Sequence, residues 1–337
     1  MRRLPWPLVF QVLGVLAAVA FVIATWQVWM LLFTALILAA AILPAARLGE
    51  RRGVPRGLTV LIVYLVVGGL FTLMGRLLWP ALSEQWSQFV EQLPRLIDNV
   101  RGWLGDLEYF FGQWGASLPA PKADNVQGLA GVLLGNVVRV TTGAVGAVVE
   151  VLAMLVITAF LVIDAGPIGR TLSLLLPPSH RPTARRLAPA VMDRVGGYVR
   201  GQLTSSFFVG MLIAIALSVL GVRYALLIGA LAAVLNIVPF VGATVAAVLA
   251  VLSALNESVA LAAVTLAVMT ACQTVEGKLF APFFVGRATG LHALAVLLAL
   301  LAGFRLAGLV GGLVAVPLLA GLWEIVRTLY VEPRRDG

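Results

Sequence analysis

The hydrophobic and polar positions divide the chain into long apolar runs separated by short charged gaps. The first run, residues 8–46, extends for 39 residues without a single charge. A helix that crosses about 30 Å of hydrocarbon needs roughly 20 apolar residues, because each residue adds about 1.5 Å of rise. The first run therefore predicts two spans joined by a tight turn near residues 25–27. Further runs predict a third span at 57–79 and a fourth at 143–163.

Beyond Gln202 almost every position is apolar. Four runs follow, at residues 203–220, 224–255, 258–275 and 292–326. The second and the fourth are too long for one simple span, and each contains proline and glycine. Because proline has no backbone N–H and opens a helical turn, broken or re-entrant helices are expected there. The pattern predicts an all-α polytopic membrane protein with about eight hydrophobic membrane segments.

A polar and aromatic segment interrupts the apolar runs between residues 80 and 142. Trp86, Phe89 and Leu93 recur at near-helical spacing, which predicts amphipathic helices outside the membrane. A second polar stretch is rich in arginine and predicts an amphipathic linker along the membrane surface. The chain is thereby divided into five predicted parts, at residues 1–79, 80–142, 143–163, 164–202 and 203–330.

The distribution of charge favours one orientation in the membrane. Residues 80–139 carry four basic and six acidic side chains, whereas residues 164–200 carry six basic and two acidic ones. Short loops with an excess of lysine and arginine stay in the cytoplasm. The 80–142 segment is therefore expected outside the cytoplasm, and the 164–202 segment and both chain termini are expected inside.

Composition excludes several classes of protein. The 337 residues are 61% hydrophobic and only 12% charged, whereas a soluble domain carries about 25% charge. A single cysteine excludes a disulfide scaffold. The net charge of +9 lies in the gaps between apolar runs, which is typical of membrane orientation rather than of nucleic-acid binding. With two histidines and no zinc-protease, esterase or nucleotide-loop motif, neither a cofactor nor an enzyme is expected.

Two breaks in the C-terminal half are alike in sequence. A proline–glycine break at membrane depth frees backbone carbonyls, and discontinuous helices in transporters use such carbonyls to bind their ligands. We therefore take these breaks as candidate sites. They are the stretch 236–243, with Asn236, Pro239 and Gly242, and the stretch 281–288, with Pro282, Gly286 and Arg287.

A short polar stretch lies between the two breaks, at residues 273–278. An intramembrane carboxylate costs about 2.5–3.5 kcal/mol on insertion scales, so Glu276 is expected to have a partner. Gln273 shares a helical face with Glu276, whereas Lys278 points elsewhere. Arg287 is the candidate ionic partner. The alternative is that Glu276 and Lys278 only end a span at the headgroups, and the residues alone leave both interpretations open.

Four stretches of the C-terminal half carry a resemblance to a known family. They are residues 235–242, 273–276, 281–287 with 290–292, and the glycine-rich run 308–317. In these stretches, and in the layout of the whole chain, the sequence resembles the AI-2E family of bacterial transporters, also called the autoinducer-2 exporter or PerM-like family. The resemblance implies export of a furanone signal or sodium and lithium/proton antiport, homo-oligomers that include pentamers, and a location in the bacterial cytoplasmic (inner) membrane.

Three hypotheses follow. The first is a gradient-driven transporter that exports a small polar solute such as autoinducer-2. A Na⁺(Li⁺)/H⁺ antiporter is the close alternative, and a non-transporting scaffold or receptor that uses the aromatic segment 80–142 is the alternative of another class. The expected partners are the solute or cation, membrane lipid and further copies of the chain. The predicted pathway residues are Asn236, Pro239, Gly242, Gln273, Glu276, Lys278, Pro282, Gly286 and Arg287.

Overall fold

A computed structural model describes residues 6–113, 144–286 and 291–331, and these residues form helices without any β-strand. The all-α prediction is thereby confirmed. The α-helices are α1 Trp6–Ala24, α2 Trp26–Arg51, α3 Arg56–Gly112, α4 Ala144–Ile163, α5 Ala165–Leu174, α6 Arg181–Val219, α7 Ala225–Leu235, α8 Val241–Leu255, α9 Val259–Val275 and α10 Ala293–Val326. A 3₁₀ turn, Pro178–His180, precedes α6, and π-helical segments Glu276–Gly286 and Arg327–Val331 extend α9 and α10.

Several of these helices are long and apolar enough to cross a membrane. In the described ranges there are five, at Trp26–Arg51, Arg56–Gln92, Pro178–Val219, Val259–Val285 and Leu294–Val331. The pair α4 and α5 adds a sixth candidate, bent by 74° at its break. Helices α7 and α8 are apolar but shorter. The structure therefore confirms a polytopic membrane protein in which long spans are combined with broken ones.

The first apolar run forms two helices, as predicted. Thr25 alone separates α1 from α2. Its hydroxyl donates to the Phe21 carbonyl at 2.6 Å and accepts from the Trp29 indole N–H at 3.0 Å. The Thr25 hydroxyl thus satisfies a backbone carbonyl at the end of α1 and an indole N–H at the start of α2. A single residue therefore suffices to connect the two helices.

Two predicted segment boundaries are not helix ends. Helix α3 continues past residue 79 and through Pro80 to Gly112, and α6 passes through residue 202 without interruption. Proline removes only one backbone donor. The two leucines at positions 77 and 78 and the alanine and leucine at positions 81 and 82 are good helix formers, so the helix continues across the missing bond at Pro80. The part of the 80–142 segment that follows residue 113 lies outside the described residues.

The described residues fall into two compact units. The first takes its residues from Met1–Val60, Val151–Gly196 and Leu291–Gly337, and the second takes them from Leu61–Glu150 and Gly197–Gly290. In the first unit, α2 and α6 approach closely because Gly196 lies against the backbone carbonyl of Ala40, where a Cβ would collide. Arg194 and Glu324, both largely buried, form an ion pair at 3.0 Å between α6 and α10.

Helix α10, in the first unit, contains a sharp fold; the sequence predicted a break in this run but not its position. Ala307 and Gly308 leave the helical conformation, and Gly308 has φ 57° and ψ −140°, a region open almost only to glycine. Gly303 and Gly311 touch backbone to backbone, although eight residues of straight helix would separate them by about 12 Å. The run 292–326 is therefore not one simple span, as its length predicted.

In the second unit, the end of α6 packs with α7, α8 and α9 around an apolar core that includes Ile213, Ile228 and Met269. Small residues bring the backbones together: a Cβ on Gly210 would lie 2.6 Å from the Gly229 carbonyl. Such close approach is typical of helix packing in membranes, where small residues replace the hydrophobic driving force. This bundle holds the candidate site.

Candidate functional site

Helices α7 and α8 form a hairpin whose tip is the predicted break at Pro239. The chain leaves α7 at Asn236 and enters α8 at Val241, and Phe240 adopts a left-handed φ of 69°. Proline disfavours a helical conformation in the residue before it, which explains why the helix ends here. Turn bonds, such as Val238 N–H to the Leu235 carbonyl at 3.1 Å, satisfy part of the freed backbone.

Gly242 allows the hairpin to close. A Cβ at this position would lie 2.6 Å from the Cα of Asn236 and 2.7 Å from its Cβ. The first turn of α8 therefore rests directly on the last residue of α7. The sequence predicted Gly242 as a pathway residue. In the structure Gly242 packs directly against Asn236.

Asn236 stands at the centre of a polar cluster that links three parts of the bundle. Its side chain is fully buried, with 0% exposure. Its Nδ2 donates to Oε1 of Glu276 at 2.7 Å, and its backbone carbonyl accepts a bond of 2.6 Å from Nε2 of Gln202. We call Gln202, Asn236 and Glu276 the tip cluster. It joins α6, the hairpin and the start of the π-helical segment after α9.

The tip cluster has unused hydrogen-bonding capacity. Among the described residues, the buried Oδ1 of Asn236 has no partner, and leaving a buried acceptor unpaired costs roughly 1–3 kcal/mol. Glu276 is half-buried, and within the same residues it forms no ion pair. A buried amide oxygen beside a carboxylate can accept hydrogen bonds from hydroxyl groups, or it can ligate a cation.

The second predicted break, at Pro282, differs from the expectation. The chain does not leave the helix there, because residues Glu276–Gly286 form a π-helix that contains the proline. A π-helix is wider than an α-helix, often occurs at functional sites, and here accommodates the residue that lacks a donor. Pro282 therefore marks a widened helix rather than a gap.

Aromatic and backbone contacts fix the π-helical segment against α6. Phe208 and Phe284 stack with ring centroids 5.3 Å apart and planes inclined by 6°. Gly201 lies against the Phe284 backbone carbonyl, where a Cβ would collide. These contacts flank Gln202, so α6 holds the π-helical segment next to the tip cluster.

The remaining predicted residues are placed less centrally. Gln273, Lys278 and Pro282 are exposed. Gln273 meets the tip cluster only along the helix backbone, where its carbonyl accepts from the Glu276 N–H, and among the described residues no side-chain hydrogen bond or ion pair joins the three side chains to the cluster. Gly286 ends the π-helical segment, and Arg287, the predicted ionic partner of Glu276, lies outside the described residues. The structure thus brings together Asn236, Gly242 and Glu276 of the predicted set.

Gln202 is the site residue that sequence reasoning missed. The sequence placed it only as the boundary of an apolar run. A signal was present: Gln202 precedes Ser205 and Ser206 at spacings of three and four, which puts three polar side chains on one helical face. All three are buried. A buried polar stripe inside an apolar helix indicates a partner across the interface.

No metal centre is evident in the described ranges, because no three His, Cys, Asp or Glu side chains cluster there. The groups that the candidate site offers are hydrogen-bonding amides and one carboxylate. The protein is thus an α-helical polytopic membrane protein in which a buried polar cluster lies at the tip of a helical hairpin, within a bundle of apolar helices.

Comparisons with known proteins give the family. The model of the AI-2E family transporter matches residues 8–330, so the chain belongs to this family of membrane transport proteins. Relatives named "Putative transport protein" include YrrI of Bacillus subtilis (strain 168), 29% identical over 88% of this chain and 86% of its own length. MT0215 of Mycobacterium tuberculosis is 30% identical over 88% of this chain and 81% of its own length.

Proposed function

We propose that the chain exports a small, hydroxyl-bearing polar solute, such as autoinducer-2, by a gradient-driven mechanism, and that the solute passes the tip cluster. One observation carries the proposal: the fully buried Asn236 has an amide oxygen without a partner among the described residues, and it stands beside the half-buried carboxylate of Glu276. Both groups accept hydrogen bonds, and a solute hydroxyl can donate to them. Family membership favours this function over a scaffold or receptor.

The length of the hairpin supports a site deep in the membrane. Helix α7 has 11 residues and is therefore about 16 Å long, roughly half the hydrocarbon thickness. At the open end of the hairpin, Arg223 and Glu257 form an exposed ion pair at 2.9 Å, which suits the headgroup region. With this end at the membrane surface, the tip cluster lies near the middle of the bilayer.

Orientation is part of the proposal. The charge bias puts the 80–142 segment outside and the 164–202 segment in the cytoplasm. Gln85, in the outer segment, hydrogen-bonds Leu227 near the open end of the hairpin, whereas Gln202, near the cytoplasmic segment, bonds the tip. The two contacts agree with one orientation, in which the hairpin enters from the outer side of the bacterial inner membrane and both termini are cytoplasmic.

The peripheral candidates keep a role in the proposal. Gln273, Lys278 and Pro282 are exposed on the single chain, so they would line a pathway completed by a neighbouring copy in a homo-oligomer, a pentamer among the options. Gly242 and Pro239 would act as the hinge of the hairpin, and the stretch around Gly286 and Arg287 would act as the hinge after the π-helical segment.

A second candidate function is Na⁺(Li⁺)/H⁺ antiport. The observation that favours it is the oxygen set of the tip cluster, since the Asn236 amide oxygen and the Glu276 carboxylate are ligands suited to a small hard cation. In this case Glu276 would bind either the cation or a proton.

The test is a flux assay of the purified protein in liposomes, with autoinducer-2 and with Na⁺ or Li⁺, under an imposed pH gradient. Asn236→Ala and Glu276→Gln are each expected to lower the flux at least ten-fold, because each removes an acceptor from the site, a loss of about 1.4 kcal/mol or more. Glu257→Gln, the same chemical change at the exposed open end, is the matched control and is expected to stay within two-fold.

The outcome separates the two functions. Loss of pH-coupled cation flux in Glu276→Gln with solute export retained supports antiport, whereas loss of solute export supports the first proposal. Wild-type flux of both probes in Asn236→Ala and Glu276→Gln would remove the tip cluster from the pathway.

A further inference from the structure

A contact from the outer part of α3 reaches the hairpin at the end opposite to the tip. Oε1 of Gln85 accepts a hydrogen bond of 2.9 Å from the backbone N–H of Leu227. Leu227 is the third residue of α7. The first N–H groups of a helix have no partner within the helix and require one from elsewhere. Tyr224, the residue at the cap position, supplies no side-chain bond, so a side chain 142 positions away in the sequence caps this helix.

An aromatic contact lies beside this cap. Phe89, one helical turn after Gln85 on α3, meets Tyr224 edge to face, with ring centroids 5.5 Å apart and planes at 82°. Both side chains are buried, at 7% and 5% exposure. Tyr224 adopts a left-handed φ of 61°, which costs a residue with a Cβ roughly 1–2 kcal/mol. The aromatic contact offsets this cost at a position where glycine would be free of strain.

Helix α7 connects this docking point to the transport site. Hydrogen bonding is continuous from the Ile228 N–H, which bonds the Tyr224 carbonyl at 2.8 Å, to the Asn236 N–H, which bonds the Ala232 carbonyl at 2.8 Å. The close contact between Gly210 and Gly229 holds the middle of α7 against α6. A displacement of the first turn is thus carried along a short rigid helix to Asn236.

We infer that Gln85 is a positioning residue for transport: by capping α7, and with Phe89 packed on Tyr224, it fixes the place of Asn236 in the tip cluster. The inference rests on the proposed function, since it gives Gln85 a role only if the tip cluster binds the transported solute. In this inference, Gln85 and Phe89 on the outer half of α3 influence solute affinity at the tip cluster through α7. Helix α7 is about 16 Å long.

The test uses three variants at two positions of α3. Gln85→Leu removes the acceptor, and Gln85→Glu keeps an acceptor oxygen whose charge is favourable at a helix N-terminus. Gln88→Leu is the matched control, because Gln88 is exposed and, within the part of the chain that the structure describes, its side chain bonds Glu84 of its own helix, at 3.2 Å, and not α7. Amide hydrogen exchange over residues 225–235 and the concentration dependence of autoinducer-2 flux in liposomes are measured for each variant.

The expected result is about five-fold faster exchange of the Leu227 amide in Gln85→Leu, which matches the loss of one hydrogen bond. The half-saturating solute concentration rises about three- to five-fold, and the maximal rate stays within two-fold. Gln85→Glu restores both quantities, and Gln88→Leu changes neither. A purely structural role would instead lower the amount of active protein, and with it the maximal rate, at an unchanged half-saturating concentration.

Other outcomes overturn the inference. Unchanged exchange in Gln85→Leu contradicts the cap itself, and faster exchange with unchanged half-saturation contradicts the positioning role alone. Absence of flux in the wild type overturns the proposed function, and the positioning role falls with it. Should Gln85→Leu fail to fold, Tyr224→Asn keeps a residue that tolerates left-handed backbone and removes the ring from Phe89. The same rise in half-saturating concentration is then expected, and an unchanged value contradicts the inference.

Discussion

At the scale of single residues, the site depends on one buried asparagine. Asn236 uses its amide N–H and its backbone carbonyl for contacts within the protein, to Glu276 and Gln202 respectively, and its amide oxygen is left without a partner among the described residues. Such an arrangement stores a cost of roughly 1–3 kcal/mol that a suitable ligand recovers on binding. The residue is therefore held rigidly and is ready to accept one more hydrogen bond.

The close packing of Gly242 on Asn236 gives a prediction at this scale. Gly242→Ala places a methyl group in contact with the Asn236 backbone, and relieving the overlap is expected to cost about 1–3 kcal/mol. The melting temperature of the purified protein should fall, and solute flux should fall at least ten-fold as Asn236 moves.

Gly277→Ala is the control for this variant, since nothing lies within 4 Å of a Cβ at Gly277. A Gly242→Ala protein that melts and transports like the Gly277→Ala protein would contradict the proposed packing.

The sequence predicted part of this residue-level picture. The proline–glycine break indicated the stretch that contains Asn236 and Gly242 as a candidate site. The cost of a carboxylate inside the membrane indicated Glu276. The bond from Asn236 to Glu276 was not predictable, because the two residues are 40 positions apart and meet only through the packing of α8 and α9. Gln202 was missed for the same reason, since its partner is a backbone carbonyl 34 positions away.

At the scale of elements, the chain breaks its apolar runs in three different ways. The hairpin of α7 and α8 turns at a proline, as its sequence indicates. Around Pro282 the helix widens instead of breaking, because a wider turn tolerates the missing donor. In α10 the fold occurs at Gly308, nine residues before Pro317, the proline of that helix. The sequence alone could not identify Gly308 as the position of the fold, since that run contains several glycines. Only the backbone angles show which of them adopts a conformation that requires glycine.

Gly308 gives a prediction at the scale of the element. With φ 57° and ψ −140°, it has a conformation that is strained for any residue with a Cβ, at a cost of about 1–3 kcal/mol. Gly308→Ala is therefore expected to lower the melting temperature by several degrees.

For comparison, Gly14→Ala in α1 lies in open space within a helix and should leave the melting temperature unchanged or slightly raised. Equal melting temperatures for the two variants would show that the turn at Gly308 is absent in the folded protein.

At the scale of the whole molecule, the chain combines long apolar spans with a short apolar hairpin that has a polar tip. Five long helices, and a sixth bent pair, are apolar enough to cross the membrane in the described ranges, and family membership makes the chain a membrane transport protein. Composition and run length predicted a polytopic membrane protein directly, because the bilayer imposes the length of a span. The ends of helices were less predictable, as the continuous α3 and α6 show, because tertiary context can override the local preference to end a helix at a proline or a polar residue.

The accessibility of a cysteine at position 276 shows whether a transport pathway passes the tip cluster. The chain has one cysteine, Cys272, so Cys272→Ala gives a background without thiols. Into it one introduces Glu276→Cys, or, as the control on the same helix, Met269→Cys, whose position is 0% exposed in the core.

A small water-soluble thiol reagent is then applied to the protein in liposomes, with and without autoinducer-2 or Na⁺. A pathway past the tip cluster predicts that the cysteine at 276 reacts, that one of the two probes slows the reaction, and that the cysteine at 269 does not react. A cysteine at 276 that is as unreactive as the one at 269, or whose reaction neither probe slows, would contradict the account.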